Sequence, residues 1–312
     1  MAPASKPSPE GVHCGLKRIE EMGFKVVIGD CVRKSRRHGF LAASDEERAN
    51  ELNGMFRRDD VNAIFCSQGG YGSLRILELI DYGTIQDHPK IILGMSDITS
   101  LLLAVHKMTG MVTFHGPSIC SPRLSRSSRD AISNTVMCGK GMLRLENPPD
   151  GPFIHTVNEG KAEGELIGGN LNLIVATIGT RYEIETAGKL FFFEVPQLRP
   201  WQIDRHLVHL KLASKMQTAA GFVAGEMVVS NPHERALGEF GLSYPGEILS
   251  HHFSSTVEEV INENLSQYPH PAIYGLCCGH GSNQVVVPLG AKATLNASEG
   301  RLELSELPIT SG

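Results

Sequence analysis

The chain has 312 residues, of which 41% are hydrophobic and 20% are charged, and its net charge is −5. The length suits two domains or one large one, with a sizeable core. The acidic balance argues against a surface for nucleic acid or an anionic membrane. A local basic cluster (Arg33, Lys34, Arg36 and Arg37) is best explained as a solvated loop, and contact with an acidic substrate is the less favoured alternative.

Targeting and redox features point to a cytoplasmic protein. No run of 18 apolar residues is present, and residues 1–9 lack the basic and then apolar order of a secretory signal. The cysteines are odd in number and none lies in a C-x-x-C pattern: Cys14, Cys31, Cys66, Cys120, Cys138, Cys277 and Cys278. We expect free thiols in a reducing compartment and no zinc site.

Apolar spacing predicts alternating helices and strands up to about residue 138. Helices are predicted over 10–22, 44–56 and 73–80 and after Ser96, and strands over 24–28, 61–66, 90–94 and 111–114. Ser44 and Glu47 have the spacing of a capping box, and Gly110 can end the helix after Ser96. Such alternation predicts a parallel sheet with helices on both faces, in a domain spanning residues 1–138.

Three polar or glycine-rich segments follow predicted strands: Gly69–Gly72, Ser96 and His115. Ligands of parallel sheets gather at the carboxyl ends of the strands. Because three separate strand ends converge on one edge, we expect a functional site there.

Ser96 lies between the strand and the helix of the segment 90–106. A serine at such a turn has an exposed hydroxyl beside the free N–H groups of a helix N-terminus, which is the arrangement of a nucleophile elbow. The sequence around it is G-x-S-D and not the G-x-S-x-G of α/β-hydrolases. A simple helix cap, with Asp97 in the first turn, explains the same residues and is favoured on this segment alone.

The segment Gly69–Gly72 has three glycines in four residues. Such a loop can direct N–H groups at a carbonyl oxygen or a phosphate, but a tight turn explains it equally well. The patterns of a Walker loop and of a dinucleotide fingerprint are both absent.

Residues 139–165 are rich in glycine, proline and charge, and we interpret them as a linker to a second domain, 166–312. Predicted helices there cover 171–178, 203–213 and 255–265, and predicted strands cover 189–194, 220–229, 271–275, 285–289, 293–295 and 301–304. Gly168, Gly169 and Asn170 precede the first of these helices.

Two residues of the second half can act in acid–base chemistry. Glu194 ends an apolar strand, where it can orient a histidine or form an ion pair with Arg199 or Arg205. His280 lies between two glycines, where it is either a general base or a solvent-facing loop residue, and His115 competes for the role of base. His206 and His209 lack the spacing of a metal motif.

The chain resembles the LD-carboxypeptidase family, which includes the muramoyltetrapeptide carboxypeptidases and the microcin-immunity peptidases. The motifs that carry the resemblance run through nearly the whole chain in the family's order: Gly69–Arg75, Asp81-Tyr82, His88–Lys90, Gly94–Thr99, Thr113–Pro117, Gly168–Leu171, Gly179-Thr180, Phe193-Glu194, Ile203–Arg205 and Gly279-His280. The implied fold is α/β. A Rossmann-like parallel-sheet domain of the class I glutamine-amidotransferase type would be followed by a smaller, β-rich α/β domain, with the site at the interface.

The resemblance implies a serine peptidase with Ser96 as nucleophile, Glu194 as triad carboxylate and His280 as base. For the oxyanion we nominate the backbone N–H groups of Gly70 and Asp97. Candidate substrate contacts are Tyr71, Arg75, His115 and Trp201, and an internal ion pair is an equally good explanation of Arg75.

The implied reaction is removal of a terminal D-amino acid from an L,D bond in cytoplasmic murein tetrapeptides, without metal or cofactor. The expected partner is a small peptide and neither nucleic acid nor membrane, with homodimer formation left open. The alternatives are a hydrolase of peptide–nucleotide antibiotics and a catalytically silent binding module on the same scaffold.

The chain departs from the family's pattern in two places. It starts at Met1, where relatives usually have a full apolar strand, and we expect a shortened first strand to weaken the sheet. Many relatives carry a second acidic residue after the triad glutamate, where this chain has Val195 and Pro196. We expect that difference to alter substrate contacts and leave the triad intact.

Overall fold

The fold is that of a computed structural model, which describes residues 1–34, 37–121, 124–137, 143–196, 198–228, 256–281 and 283–305. Two sheets hold the described strands, one of four strands and one of eight. The α-helices are α1 Pro9–Glu21, α2 Asp45–Arg57, α3 Tyr82–Asp87, α4 Thr99–Thr109, α5 Arg126–Met137, α6 Leu171–Thr177, α7 Pro200–Leu212 and α8 Val257–Ser266. No helix in these ranges is long and apolar enough to cross a membrane.

The strands follow the predicted order closely. They are β1 Ala63–Phe65, β2 Ile91–Gly94, β3 Thr113–His115, β4 Leu143–Leu145, β5 His155–Asn158, β6 Lys161–Asn170, β7 Leu190–Pro196, β8 Gly221–Val228, β9 Ala272–Leu276, β10 Val287–Leu289, β11 Lys292–Asn296 and β12 Arg301–Leu304. The predicted capping box of α2 is present: the Glu47 N–H donates to Ser44 Oγ at 3.1 Å, and the Ser44 N–H donates to the Glu47 carboxylate at 3.0 Å.

The four-stranded sheet has the order β1-β2-β3-β10. Strands β1, β2 and β3 are parallel, with Phe65 opposite Leu93 and Gly94 opposite His115. The fourth strand, β10, comes from near the end of the chain and pairs antiparallel with β3. The predicted parallel sheet is therefore confirmed, and the C-terminal half supplies its last strand.

Two predicted elements of the first half were wrong. Residues 24–28 form no strand; they and β1 both line a cavity of about 610 Å³ and do not pair with each other. At the end of β1, the Met1 ammonium donates to Phe65 O at 3.0 Å and the Ser67 N–H donates to Met1 O at 2.8 Å. The predicted helix over 73–80 is a 3₁₀ helix, Leu74–Leu79, and α3 follows it, capped by Asp81.

The eight-stranded sheet has the order β4-β12-β11-β6-β7-β8-β9-β5. Its four central strands, β6 to β9, are parallel, and antiparallel strands flank them on both sides. Residues 139–165, which we expected to be a linker, contain β4, β5 and the first part of β6. The apolar side chains of β7 from Leu190 to Phe193, and that of Val195, are fully buried, so the carboxyl end of this strand is firmly positioned.

Candidate active site

Ser96 lies on a sharp turn between β2 and α4. The strand ends at Gly94, a 3₁₀ helix runs from Ser96 to Ile98, and α4 begins at Thr99. Ser96 has a left-handed backbone with φ of +60°, which is strained for a residue with a side chain. The cap positions of the two helices are Met95 and Ile98, and neither makes a side-chain cap bond. The geometry is therefore that of a strained elbow and not that of a serine cap.

The loop Gly69–Gly72 packs directly against this elbow. A Cβ atom on Gly69 would lie 2.8 Å from Ser96 Cβ and 3.2 Å from the Asp97 nitrogen, so a side chain there would displace the turn. Ser5 fixes the loop from the other side: its N–H donates to Gly69 O, and its Oγ accepts from the Tyr71 N–H, both at 3.1 Å. The predicted proximity of these two strand ends is thus present.

The loop and the elbow each contain one of the backbone N–H groups nominated for the oxyanion. The N–H groups of Gly70 and Asp97 donate to no atom of the residues that the structure describes. The Asp97 carboxylate is turned inward, where it accepts from the Ser73 N–H at 2.8 Å. The Asp97 N–H therefore has no acceptor in the described part of the chain, while the Asp97 side chain anchors the elbow.

Glu194 and His280 form a hydrogen-bonded pair. His280 Nδ1 lies 2.8 Å from Glu194 Oε2, the glutamate is fully buried and about a quarter of the imidazole is exposed. A carboxylate only accepts, so Nδ1 carries the proton and Nε2 keeps its lone pair when the imidazole is neutral. The carboxylate thereby selects the tautomer that a general base requires.

Asn170 links this pair to the elbow. Its Nδ2 donates to Glu194 Oε1 at 3.1 Å, and its backbone N–H donates to Thr99 Oγ1, in the first turn of α4, at 3.0 Å. Its Oδ1 accepts from the Asn172 N–H and caps α6. Sequence reasoning identified Asn170 only as part of a helix start. The available signal was a polar side chain directly after two glycines and before an apolar helix.

His115, the competing base, lies inside the protein. It is fully buried, and its Nε2 lies 3.2 Å from Cys278 O, which is an acceptor, so Nε2 carries the proton. Burial lowers the pKa of His115 to about 4. The side chain bridges β3 and the segment that leads to His280, and it has no exposed surface for a substrate.

Ser96 Oγ and His280 form no hydrogen bond with each other in the described part of the chain. Hydrogen bonds of neighbouring residues connect the two segments. Asn170 bonds both Thr99, which follows the elbow, and Glu194, and His115 on β3 bonds Cys278, which precedes His280. Catalytic hydrogen bonds are often long without ligand and shorten in the substrate complex.

The candidate substrate contacts lie in different settings. Tyr71 is half exposed and packs edge to face on Phe40, with ring centres 5.4 Å apart. Arg75 forms a bidentate ion pair with Asp45, with contacts of 3.0 and 2.6 Å. This is the internal ion pair that was the alternative to a substrate contact. The Trp201 ring lies beneath the Arg205 guanidinium, 4.8 Å from the ring centre.

The other predictions from composition concern metals and thiols. No group of three or more potential metal ligands occurs among the residues with described positions. Six cysteines have free thiols, and burial raises the pKa of Cys31, Cys66 and Cys277 to about 12. Cys138 and Arg36 lie outside the described residues.

Comparison with known proteins identifies the family. Residues 1–116 match the model of the LD-carboxypeptidase N-terminal domain, and residues 163–295 match that of the C-terminal domain. The chain belongs to the LD-carboxypeptidase family. A relative described as a probable murein peptide carboxypeptidase of Bacillus subtilis (strain 168) is 38% identical over 307 residues, which is 96% of this chain and 88% of the relative.

Solved structures of the LD-carboxypeptidase fold agree with the architecture. The microcin C7 self-immunity protein MccF superposes with a TM-score of 0.85 at 22% identity, over 99% of this chain and 96% of that one. A muramoyltetrapeptide carboxypeptidase from Oxalobacter formigenes superposes with a TM-score of 0.78 at 24% identity, over 97% and 96%. The predicted α/β fold class is confirmed. Because both sequence identities are below 25%, the two superpositions are evidence for the fold alone.

Proposed function

We propose that this LD-carboxypeptidase family member is a serine carboxypeptidase that releases a terminal D-amino acid from an L,D bond in murein tetrapeptides, in the cytoplasm. The observation that carries the proposal is the 2.8 Å pair of His280 and buried Glu194, linked through Asn170 to the α4 turn that follows strained Ser96. The 38% identical Bacillus relative, described as a probable murein peptide carboxypeptidase, supports this substrate class.

The chemistry assigns one role to each group. Nε2 of His280 accepts the Ser96 proton as Oγ attacks the scissile carbonyl, and Glu194 stabilises the imidazolium that forms. The N–H groups of Gly70 and Asp97 bind the oxyanion; removal of one such donor typically slows a reaction by about 10²–10³. The imidazolium then protonates the leaving amine, and water hydrolyses the acyl-enzyme.

The backbone of Ser96 and the hydrogen bonds of Glu194 argue against a catalytically silent binding module. A module that only binds has no need of a strained serine, and yet Ser96 keeps its left-handed backbone. A buried carboxylate held by donors from both Asn170 and His280 is likewise an arrangement that serves proton transfer.

The test is release of free D-alanine from a muramoyl tetrapeptide, followed by a coupled D-amino-acid oxidase assay. A peptidyl-adenylate offered in parallel separates the antibiotic-hydrolase alternative. Ser96→Ala should abolish hydrolysis while the tetrapeptide still binds, with Ser266→Ala, at the exposed end of α8, as the control. Hydrolysis of the adenylate alone, or full activity of Ser96→Ala, would exclude the proposed reaction or its nucleophile.

A further inference from the structure

Arg48, on the inner face of α2, is a fully buried charged residue next to the loop Gly69–Gly72. Its Nη1 donates to two backbone carbonyls, Gly72 O at 2.9 Å and Pro3 O. Its Nη2 forms an ion pair with Asp45, in the first turn of α2. Because Nη1 carries two hydrogens and bonds two backbone oxygens, the guanidinium bridges two separate segments of the chain.

The N-terminal segment that Arg48 holds is the one that binds the loop. Ser5 lies two residues after Pro3; its N–H donates to Gly69 O, and its Oγ accepts from the Tyr71 N–H, both at 3.1 Å. One nitrogen of Arg48 therefore fixes both the loop and the segment to which the loop is bonded.

The end of the loop packs tightly on the guanidinium and is tied to the elbow. Gly72 has φ of +128°, and a Cβ atom there would lie 3.0 Å from Arg48 Nη1. The next residue, Ser73, donates its N–H to the Asp97 carboxylate at 2.8 Å. Contacts on both sides of Gly70 thus fix the loop relative to the elbow.

The burial of this charge contributes little to stability. The cost of desolvating a buried ion pair offsets most of its attraction, and a hydrophobic side chain of similar volume is often as stabilising. The Asp45 carboxylate is shared with Arg75, and Arg48 Nε bonds to none of the described residues. The guanidinium is therefore better explained by the two carbonyls that it orients than by the free energy of the ion pair.

We propose that Arg48 is a positioning residue for the oxyanion. By holding Gly72 O and Pro3 O, it keeps the loop in the conformation in which the Gly70 N–H binds the oxyanion. This inference rests on the proposed function, because an oxyanion forms only if Ser96 attacks a carbonyl carbon. Since Arg48 is fully buried, it acts through the loop alone, and its loss should lower kcat and leave KM almost unchanged.

The experiment compares Arg48→Met with Arg57→Met, which removes an exposed arginine of the same helix that pairs with Asp81. The readouts are kcat and KM for release of D-alanine from the muramoyl tetrapeptide. A displaced oxyanion donor predicts that kcat falls by about 10- to 100-fold in Arg48→Met, with KM within about twofold of the wild type. Arg57→Met should match the wild type in both.

A conservative variant separates positioning from folding. Arg48→Lys keeps the charge but lacks the rigid fork of donors, so its kcat should lie between those of Arg48→Met and the wild type. If Arg48→Met does not fold, Arg48→Lys serves alone, and a wild-type kcat in that variant would overturn the proposal. Wild-type kcat in Arg48→Met, with only a lower melting temperature, would show that Arg48 merely stabilises the fold.

The rate at which a phosphonate labels Ser96 tests the inference independently of the substrate, because the phosphonyl oxygen needs the same N–H donors. If the wild type releases no D-alanine, the proposed reaction fails, but labelling that is at least about tenfold slower in Arg48→Met than in Arg57→Met still supports the positioning role. Equal labelling rates in the two folded variants would refute it.

Discussion

Acidification should destabilise this fold through His115. The imidazole is fully buried and neutral, and desolvation lowers its pKa from 6.5 to about 4, against the opposing attraction of the Glu194 carboxylate. In the unfolded chain the imidazole takes up a proton near pH 6.5. The contribution of this imidazole to the free energy of unfolding is therefore fully present above about pH 6.5 and is lost as the pH falls toward 4.

The size of the effect follows from the difference between the two pKa values. One unit corresponds to about 1.4 kcal/mol, so the total loss is about 3 kcal/mol, most of it between pH 6.5 and 4.5. The variant His115→Gln cannot take up the proton but keeps a donor for Cys278 O. Its free energy of unfolding should thus fall less steeply with decreasing pH.

Urea unfolding of both proteins at several pH values between 7 and 4.5 measures the two slopes. The comparison cancels the contributions of other titrating groups, such as Glu47, whose pKa is lowered to about 2 chiefly by its hydrogen bond with Lys34. Identical pH dependence of the wild type and His115→Gln would refute the assignment of His115 as a buried neutral imidazole.

The remaining predictions concern Asn170 and Gly168. Asn170→Ala removes a donor from the buried Glu194 carboxylate and the cap of α6, so we expect a loss of about 2–4 kcal/mol in stability and at least about tenfold in kcat. Asn172→Ala is the matched control, and Asn170→Ser keeps the cap of α6 without the donor to Glu194. Equal kcat in Asn170→Ala, Asn170→Ser and Asn172→Ala would exclude a role of Asn170 in positioning Glu194. Gly168→Ala should prevent folding or cost more than about 3 kcal/mol, because its Cβ would overlap Phe192 O at 1.7 Å. Gly179→Ala, also at positive φ but with open space around it, should cost only about 1–2 kcal/mol, and similar melting temperatures of the two glycine variants would contradict this packing argument.

Most of the element order could be predicted because apolar periodicity and end signals agree. The capping box at Ser44 and the left-handed Gly110 after α4 are purely local features, and both are present. Residues 24–28 show the limit of such reasoning. Their apolar run favours a strand, but a strand also needs a hydrogen-bonded neighbour, and these residues line a cavity together with β1 and do not pair with it.

The candidate site was predictable to the extent that parallel strands bring their carboxyl ends to one edge. That rule placed the Gly69 loop and Ser96 together, and the loop packs on the elbow. The pairing of Glu194 with His280 needed the family resemblance, because 86 residues separate them and no local pattern encodes the contact. The connector Asn170 was missed, since its hydrogen bonds to Thr99 and Glu194 arise only from the tertiary fold.

The central claim is that Ser96, His280 and Glu194 act as one proton relay. Covalent trapping with a peptidyl phosphonate, with the adduct mapped by mass spectrometry, tests it most directly. We expect a single adduct on Ser96, formed about 10²–10⁴ times more slowly in His280→Ala. An adduct on a different residue, or labelling of Ser96 at an unchanged rate without His280, would contradict the relay.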